Sequence, residues 1–157
     1  MKILIAHEKD EFIHKASSHL ISRIIELQKD AHKIVKIGLS GGSTPGPIYS
    51  LVASSSSEID WKRVLLFLVD ERYVPADHKD SNHKLIMDTW IQKIPFSKNQ
   101  QHSLAKMMVM PETALPLDAC VKKYGEDLEK WVDSQVDIMV MGMGPDGKCV
   151  FVLFYCC

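Results

Sequence analysis

Three short clusters in this 157-residue sequence gather hydroxyls or carboxylates, two of them together with glycine, and each follows an apolar run. The first is Ser40-Gly41-Gly42-Ser43-Thr44-Pro45. Its glycines permit a tight turn, after which the peptide N–H groups and hydroxyls of Ser43 and Thr44 would open a helix. Such a cradle suits a phosphate, which gains backbone donors and the positive end of the helix dipole. An ordinary strand-to-helix turn has the same composition. The second cluster, Asp70-Glu71-Arg72, sets two acids and a guanidinium directly behind VLLFLV. An Asp at the mouth of a cleft can orient water or accept a proton, and Arg72 can make a forked contact with phosphate or carboxylate. Acids in such a place also serve as structural caps or surface ion pairs. The third cluster runs from Gly142 through Gly144 and Asp146 to Lys148. There Gly142 and Gly144 bring backbone close to a ligand and Asp146 adds a carboxylate, although a plain Asp-Gly turn reads the same way.

The elements needed to hold these clusters are written in the apolar spacing. Lys2 to Ala6 is a short strand candidate, and Phe12, Ala16, Leu20, Ile24 and Leu27 then recur at the spacing of one amphipathic helix. Ile34 to Leu39 reads as a strand, and Ile48, Tyr49, Leu51 and Val52 as a helix that Ser43 or Thr44 caps and Pro45 begins. Ser54 to Ser57 reads as a surface loop. Val64 to Val69 has the pattern of a strand buried on both faces. Asp70 to Asp80 is a loop, and Ser81 or Asn82 caps a helix that uses Leu85, Ile86, Thr89 and Trp90 and ends at Pro95. Ser97 to Pro116 has weak periodicity, a further helix covers about Leu117 to Val132, and Val136 to Met141 reads as a third buried strand. This alternation predicts an α/β fold, a Rossmann-like parallel sheet with helices on both faces. Parallel strands point the same way, so all three clusters are expected at one edge, where open α/β sheets bind ligands.

LSGGSTP (Leu39 to Pro45), LVDERYVPADHKDSN (Leu68 to Asn82) and MGMGPDG (Met141 to Gly147), in that order, resemble the signature of 6-phosphogluconolactonases. Glucosamine-6-phosphate deaminases share the fold and carry related loops, but usually have an aromatic residue where this chain has Arg72. The resemblance implies the sugar-phosphate isomerase/deaminase-like fold and hydrolysis of 6-phosphoglucono-δ-lactone without metal or organic cofactor. It implies that Gly41, Gly42, Ser43 and Thr44 cradle the substrate, that Arg72 contacts an anionic group, and that Asp70 and Asp146 line the reaction centre. The pattern breaks at Lys148, which stands where the family has the histidine regarded as its general base. An ordinary lysine, with a pKa near 10.4, is charged at neutral pH and cannot accept a proton. Residues 149–157, CVFVLFYCC, form an atypical apolar tail where family members continue for several strands and helices. The expectation is one partial lactonase-like domain over residues 1–157, incomplete at its C-terminus. Three functions remain open: a lactonase, an inactive chain that still binds sugar phosphate, and an amino-sugar-phosphate deaminase or isomerase.

Composition narrows the partners. Nineteen Lys and Arg against 20 Asp and Glu provide no general field for nucleic acid or an anionic membrane, so any anion must be held by a local site, and the resemblance implies that it is a small sugar phosphate. The start, MKILIAHEKD, lacks the apolar core of a signal peptide, and the cytoplasm is the expected location. Four cysteines form no CxxC pair and seven histidines no HxxxH face, so no metal is expected. Oligomeric state is not legible.

Overall fold

The computed structural model describes residues 3–55, 58–95, 108–133 and 135–142. Helix α1 (Lys9–Leu27) leads to strand β1 (Val35–Leu39), helix α2 (Pro45–Ser55), strand β2 (Val64–Leu68) and helix α3 (Asn82–Thr89). Strand β3 (Met108–Val109), helix α4 (Leu117–Trp131) and strand β4 (Ile138–Val140) follow. The four strands form one parallel sheet in the order β3-β2-β1-β4.

Side chains alternate across a strand, and here both faces are apolar. Val35, Ile37 and Leu39 of β1 join Val64, Leu66 and Leu68 of β2 in a buried cluster with Leu20 and Ile24 of α1 and Tyr49 and Val52 of α2. Trp90 sits in the same cluster, its ring 5.2 Å from Tyr49 and edge-on to Trp61 at 6.0 Å. On the opposite face Leu65 and Phe67 meet Val109, Tyr124 and Val132. Helices therefore cover both faces, as the apolar run of β2 requires.

The register decides where the clusters lie. Leu39 is opposite Leu68 on one side and Val140 on the other, so three strands end level. Asp137 fixes the β4 pairing: its carboxylate accepts from Lys36 N at 2.9 Å and meets Lys33 Nζ at 2.6 Å, while its own N–H donates to Lys36 O.

Five expectations change. Residues 3–6 form no strand: among the described residues they have no partner strand, and Ile3, Leu4 and Ile5 are exposed. The two-residue β3 lies in the stretch of weak periodicity, too short to show alternation. The strand expected at Val136 to Met141 shrinks to Ile138–Val140 and is only half-buried, because among the described residues it is a sheet edge. Ser54 and Ser55 belong to α2 rather than to a loop, and the Ser54 hydroxyl donates back to Ser50 O at 2.7 Å. Phe12, on the apolar stripe of α1, is exposed; it lines an apolar cavity of about 420 Å³ with Ala16, Ile138 and Val140.

Gly38 in β1 is a packing glycine. A Cβ there would stand 2.7 Å from Phe67 Cζ and 3.2 Å from Val69 Cγ2. Gly38→Ala is expected to cost about 1–3 kcal/mol through overpacking, read as a lower urea midpoint with an unchanged slope.

Candidate active site

The first cluster occupies the turn between β1 and α2. Gly42 takes φ +104°, a left-handed conformation that L side chains rarely adopt, and α2 begins at Pro45 with Thr44 immediately before it. Gly42, Ser43 and Thr44 are exposed at this N-terminus, the end of the helix that favours an anion. Gly41 is required for a different reason: a Cβ there would fall 1.7 Å from Asn82 Oδ1. The two loops thus touch, Gly41 of the first against Asn82 at the end of the second.

In the second cluster the three charged residues separate into different roles. Glu71 is buried, and its carboxylate accepts four hydrogen bonds. Oε1 takes Arg72 N at 2.8 Å and Asn82 N at 2.7 Å; Oε2 takes His83 N at 2.8 Å and Ser81 Oγ at 3.1 Å. It closes the N-terminus of α3 together with Ser81, whose Oγ accepts from Lys84 N at 3.2 Å. Asp70 is different. Its backbone carbonyl accepts from Asn82 Nδ2 at 2.9 Å, while its side chain keeps 23% exposure and stands 4.0 Å from Arg72 Nε. Arg72 is 60% exposed, so this pair is weak and leaves the guanidinium open to a ligand.

Two buried tyrosines steady the strand ends from opposite faces. Tyr49 of α2 donates to Ser40 O at 2.9 Å, and Tyr124 of α4 donates to Leu68 O at 2.6 Å. Burial raises both phenols far above their ordinary pKa, with the nearby Asp70 charge adding to it, so both remain donors. Sequence reading took Tyr49 only as an apolar position of its helix and did not single out Tyr124; the long-range acceptors carry no local signal.

Beyond Arg72 the second loop borders a cleft of about 600 Å³ between Tyr73–Ala76 and Met110–Ala114, with His83 in its wall. Tyr73 OH closes one side by donating to Leu115 O at 2.6 Å. Burial lowers the His83 pKa, opposed in part by the Glu71 charge.

Of the residues expected in the site, Gly41, Gly42, Ser43, Thr44, Asp70 and Arg72 follow strands that end at one edge. Met141 and Gly142 lead off β4 at that same edge. Asp146 and Lys148, together with the tail 149–157, lie outside the described residues. No group of three or more His, Cys, Asp or Glu side chains able to hold a metal occurs among the described residues.

Fold and loops together define an open parallel α/β protein that presents an exposed glycine turn at a helix N-terminus and an Asp-Arg pair at its carboxyl edge. The family profile described as glucosamine-6-phosphate isomerases/6-phosphogluconolactonase matches residues 7–149, and the chain belongs to that family. A probable 6-phosphogluconolactonase of Dictyostelium discoideum is 39% identical over 146 residues, 91% of this chain and 58% of that protein. The 6-phosphogluconolactonase of Thermotoga maritima is 30% identical over 93% of this chain and 61% of its own length. The chain thus spans about three-fifths of the length of these relatives. The Thermotoga maritima crystal structure superposes with a TM-score of 0.75 at 26% identity, covering 89% of this chain and 59% of that one. The Plasmodium vivax 6-phosphogluconolactonase gives 0.74 at 31% identity, covering 92% and 48%.

Two outcomes test this geometry. Gly41→Ala must displace Asn82 and break its bond to the Asp70 carbonyl, which is expected to cost about 1–3 kcal/mol from the unsatisfied buried groups, measured by urea unfolding. The folded-state pKa of His83 lies below its unfolded value near 6.5. The unfolded chain therefore binds more protons as pH falls from about 6.5 through the folded pKa, and stability present above that window is lost within it. His83→Gln should flatten the fall in urea midpoint across that window relative to the parent chain.

Proposed function

We propose that the carboxyl edge of this sheet binds a sugar phosphate and that the chemistry served is hydrolysis of 6-phosphoglucono-δ-lactone to 6-phosphogluconate. The observation that carries the reading is the contact between the glycine turn at Gly41 and the Asp70–Asn82 loop, in a chain whose curated relatives are 6-phosphogluconolactonases. Ser43 and Thr44 at the start of α2 supply donors for the phosphate, and Arg72 supplies a second cationic contact. Asp70 retains a partly exposed carboxylate 4.0 Å from Arg72 Nε, suited to orienting water toward the lactone carbonyl. The adjoining cleft of about 600 Å³ has room for a phosphorylated sugar. Asp146 completes the carboxylates of the reaction centre in this reading. No metal or organic cofactor enters the hydrolysis, and the substrate is a small molecule rather than a nucleic acid or membrane. Among the described residues no helix is long and apolar enough to cross a membrane, and a cytoplasmic location fits a small phosphorylated substrate.

Lys148 favours a second reading, in which the chain binds sugar phosphate without turnover. A charged ammonium can hold phosphate or stabilise an oxyanion but cannot take the proton of an attacking water. Arg72, in place of an aromatic residue, disfavours amino-sugar-phosphate deamination.

Purified protein should be stabilised thermally by 6-phosphogluconate. It should also hydrolyse fresh lactone above the spontaneous rate, with Lys148→His faster by about 10²- to 10⁴-fold, the usual worth of a general base. Stabilisation with no hydrolysis until histidine is restored would establish the binding-only reading. A folded chain that 6-phosphogluconate does not stabilise would defeat both.

A further inference from the structure

We infer that Glu71 and Asn82 form a positioning unit for the candidate site, setting the distance between the anion-binding turn and the Asp70–Arg72 segment without either side chain touching substrate. This rests on the binding function proposed above. Glu71 is 9% exposed and Asn82 3%, and among the described residues no cationic side chain pairs with the Glu71 carboxylate. The Glu71 charge is held instead by three backbone N–H groups and one hydroxyl, from both ends of the loop: Arg72 on one side and Ser81, Asn82 and His83 on the other. This cinches residues 71 and 81–83 together across a ten-residue excursion.

A helix cap would need no more than that. Asn82 extends the unit past a cap. Its backbone N–H is held by Glu71, its side-chain Nδ2 donates to the Asp70 carbonyl at 2.9 Å, and its Oδ1 occupies the space a side chain at position 41 would need. Glu71 therefore fixes Asn82, and Asn82 sets both the backbone of Asp70 and the approach of Gly41. The first loop, more than 25 residues away in sequence, is braced by a carboxylate that does not hydrogen-bond to it.

Glu71→Gln keeps the shape and replaces one acceptor oxygen with a donor amide, which faces the His83 N–H and cannot accept from it. Amide NMR of the full chain, combined with calorimetric titration of 6-phosphogluconate, tests the unit. The variant is expected to shift the amides of Gly41 to Thr44 as well as those of residues 70–72 and 81–84, leaving Lys36 and Leu66 in place, and to weaken 6-phosphogluconate binding at least tenfold. Asn82→Ala, which keeps the backbone bond to Glu71 but removes the arm, should shift the same first-loop amides, and it decides the matter if Glu71→Gln does not fold. First-loop amides unmoved in the folded variants, or shifted with undiminished affinity, would overturn the inference and leave Glu71 a helix cap. If the unmodified chain binds no 6-phosphogluconate, the proposed function fails; first-loop shifts in the variants would then still uphold the bracing between the loops, and their absence would refute it.

Discussion

Every feature of the site depends on the parallel pairing of β1 with strands on both sides, in a register that ends them level. Leu39 lies opposite Leu68 and Val140, so the residues that follow each strand leave the sheet together. A parallel sheet permits this because each crossover returns the chain to the same starting edge, and it requires cover on both faces. The cover is asymmetric: α1, α2 and α3 lie over the face of Ile37 and Leu66, while α4 lies over that of Leu65 and Phe67. Each layer contributes a buried tyrosine to a strand end, so packing and loop position are fixed by the same residues.

Carboxylates then refine what the apolar core leaves free. Apolar packing specifies which face of a strand is buried but tolerates small displacements along it; directed hydrogen bonds do not. Asp137 pins β4 to β1 by bonding the Lys36 backbone, and Lys36 in turn reaches across with its ammonium to Val132 O at 2.7 Å. Glu71 performs the same service for the second loop. Both acids satisfy backbone donors, and such charge-assisted bonds are stronger than neutral ones. By contrast, the exposed pairs along α1 and α4, such as Lys15 with Glu11 and Lys123 with Asp127, are solvated and contribute little.

Much of this architecture was legible from residue spacing. The 3.6-residue repeat from Phe12 to Leu27 marked α1, and the unbroken run at Val64 marked a strand covered on both faces. Pro45, and Ser81 or Asn82, marked helix starts, and the structure makes Ser81 the cap of α3. Failures occurred where the deciding partner is remote or the element is short. Lys2 to Ala6 has strand composition, but composition cannot supply a neighbouring strand. Met108–Val109 is too brief to display a period, and its strand exists because Leu66 and Phe67 offer it a ladder. The clustering of Gly41, Gly42, Asp70 and Arg72 at one edge followed from topology. The division of labour between Asp70 and Glu71 did not, since both are acids following the same apolar run.

That division has a physical basis in the number of acceptor sites each carboxylate has left. Glu71 has four lone-pair directions and four donors, and turning it toward a ligand would strip the start of α3 of its partners. Asp70, one residue earlier, is held through its backbone carbonyl instead, and its carboxylate keeps solvent access and only a weak contact with Arg72. The carboxylate left accessible is thus the one whose position is secured by its main chain, and the adjacent acid is spent securing it. Exchanging the two residue types would leave the formal charge unchanged, but a carboxylate at position 71 shortened by one methylene would be drawn back from the N–H groups of Asn82 and His83. The order Asp-Glu, rather than the presence of two acids, is what lets one loop be braced and still keep a solvent-accessible carboxylate.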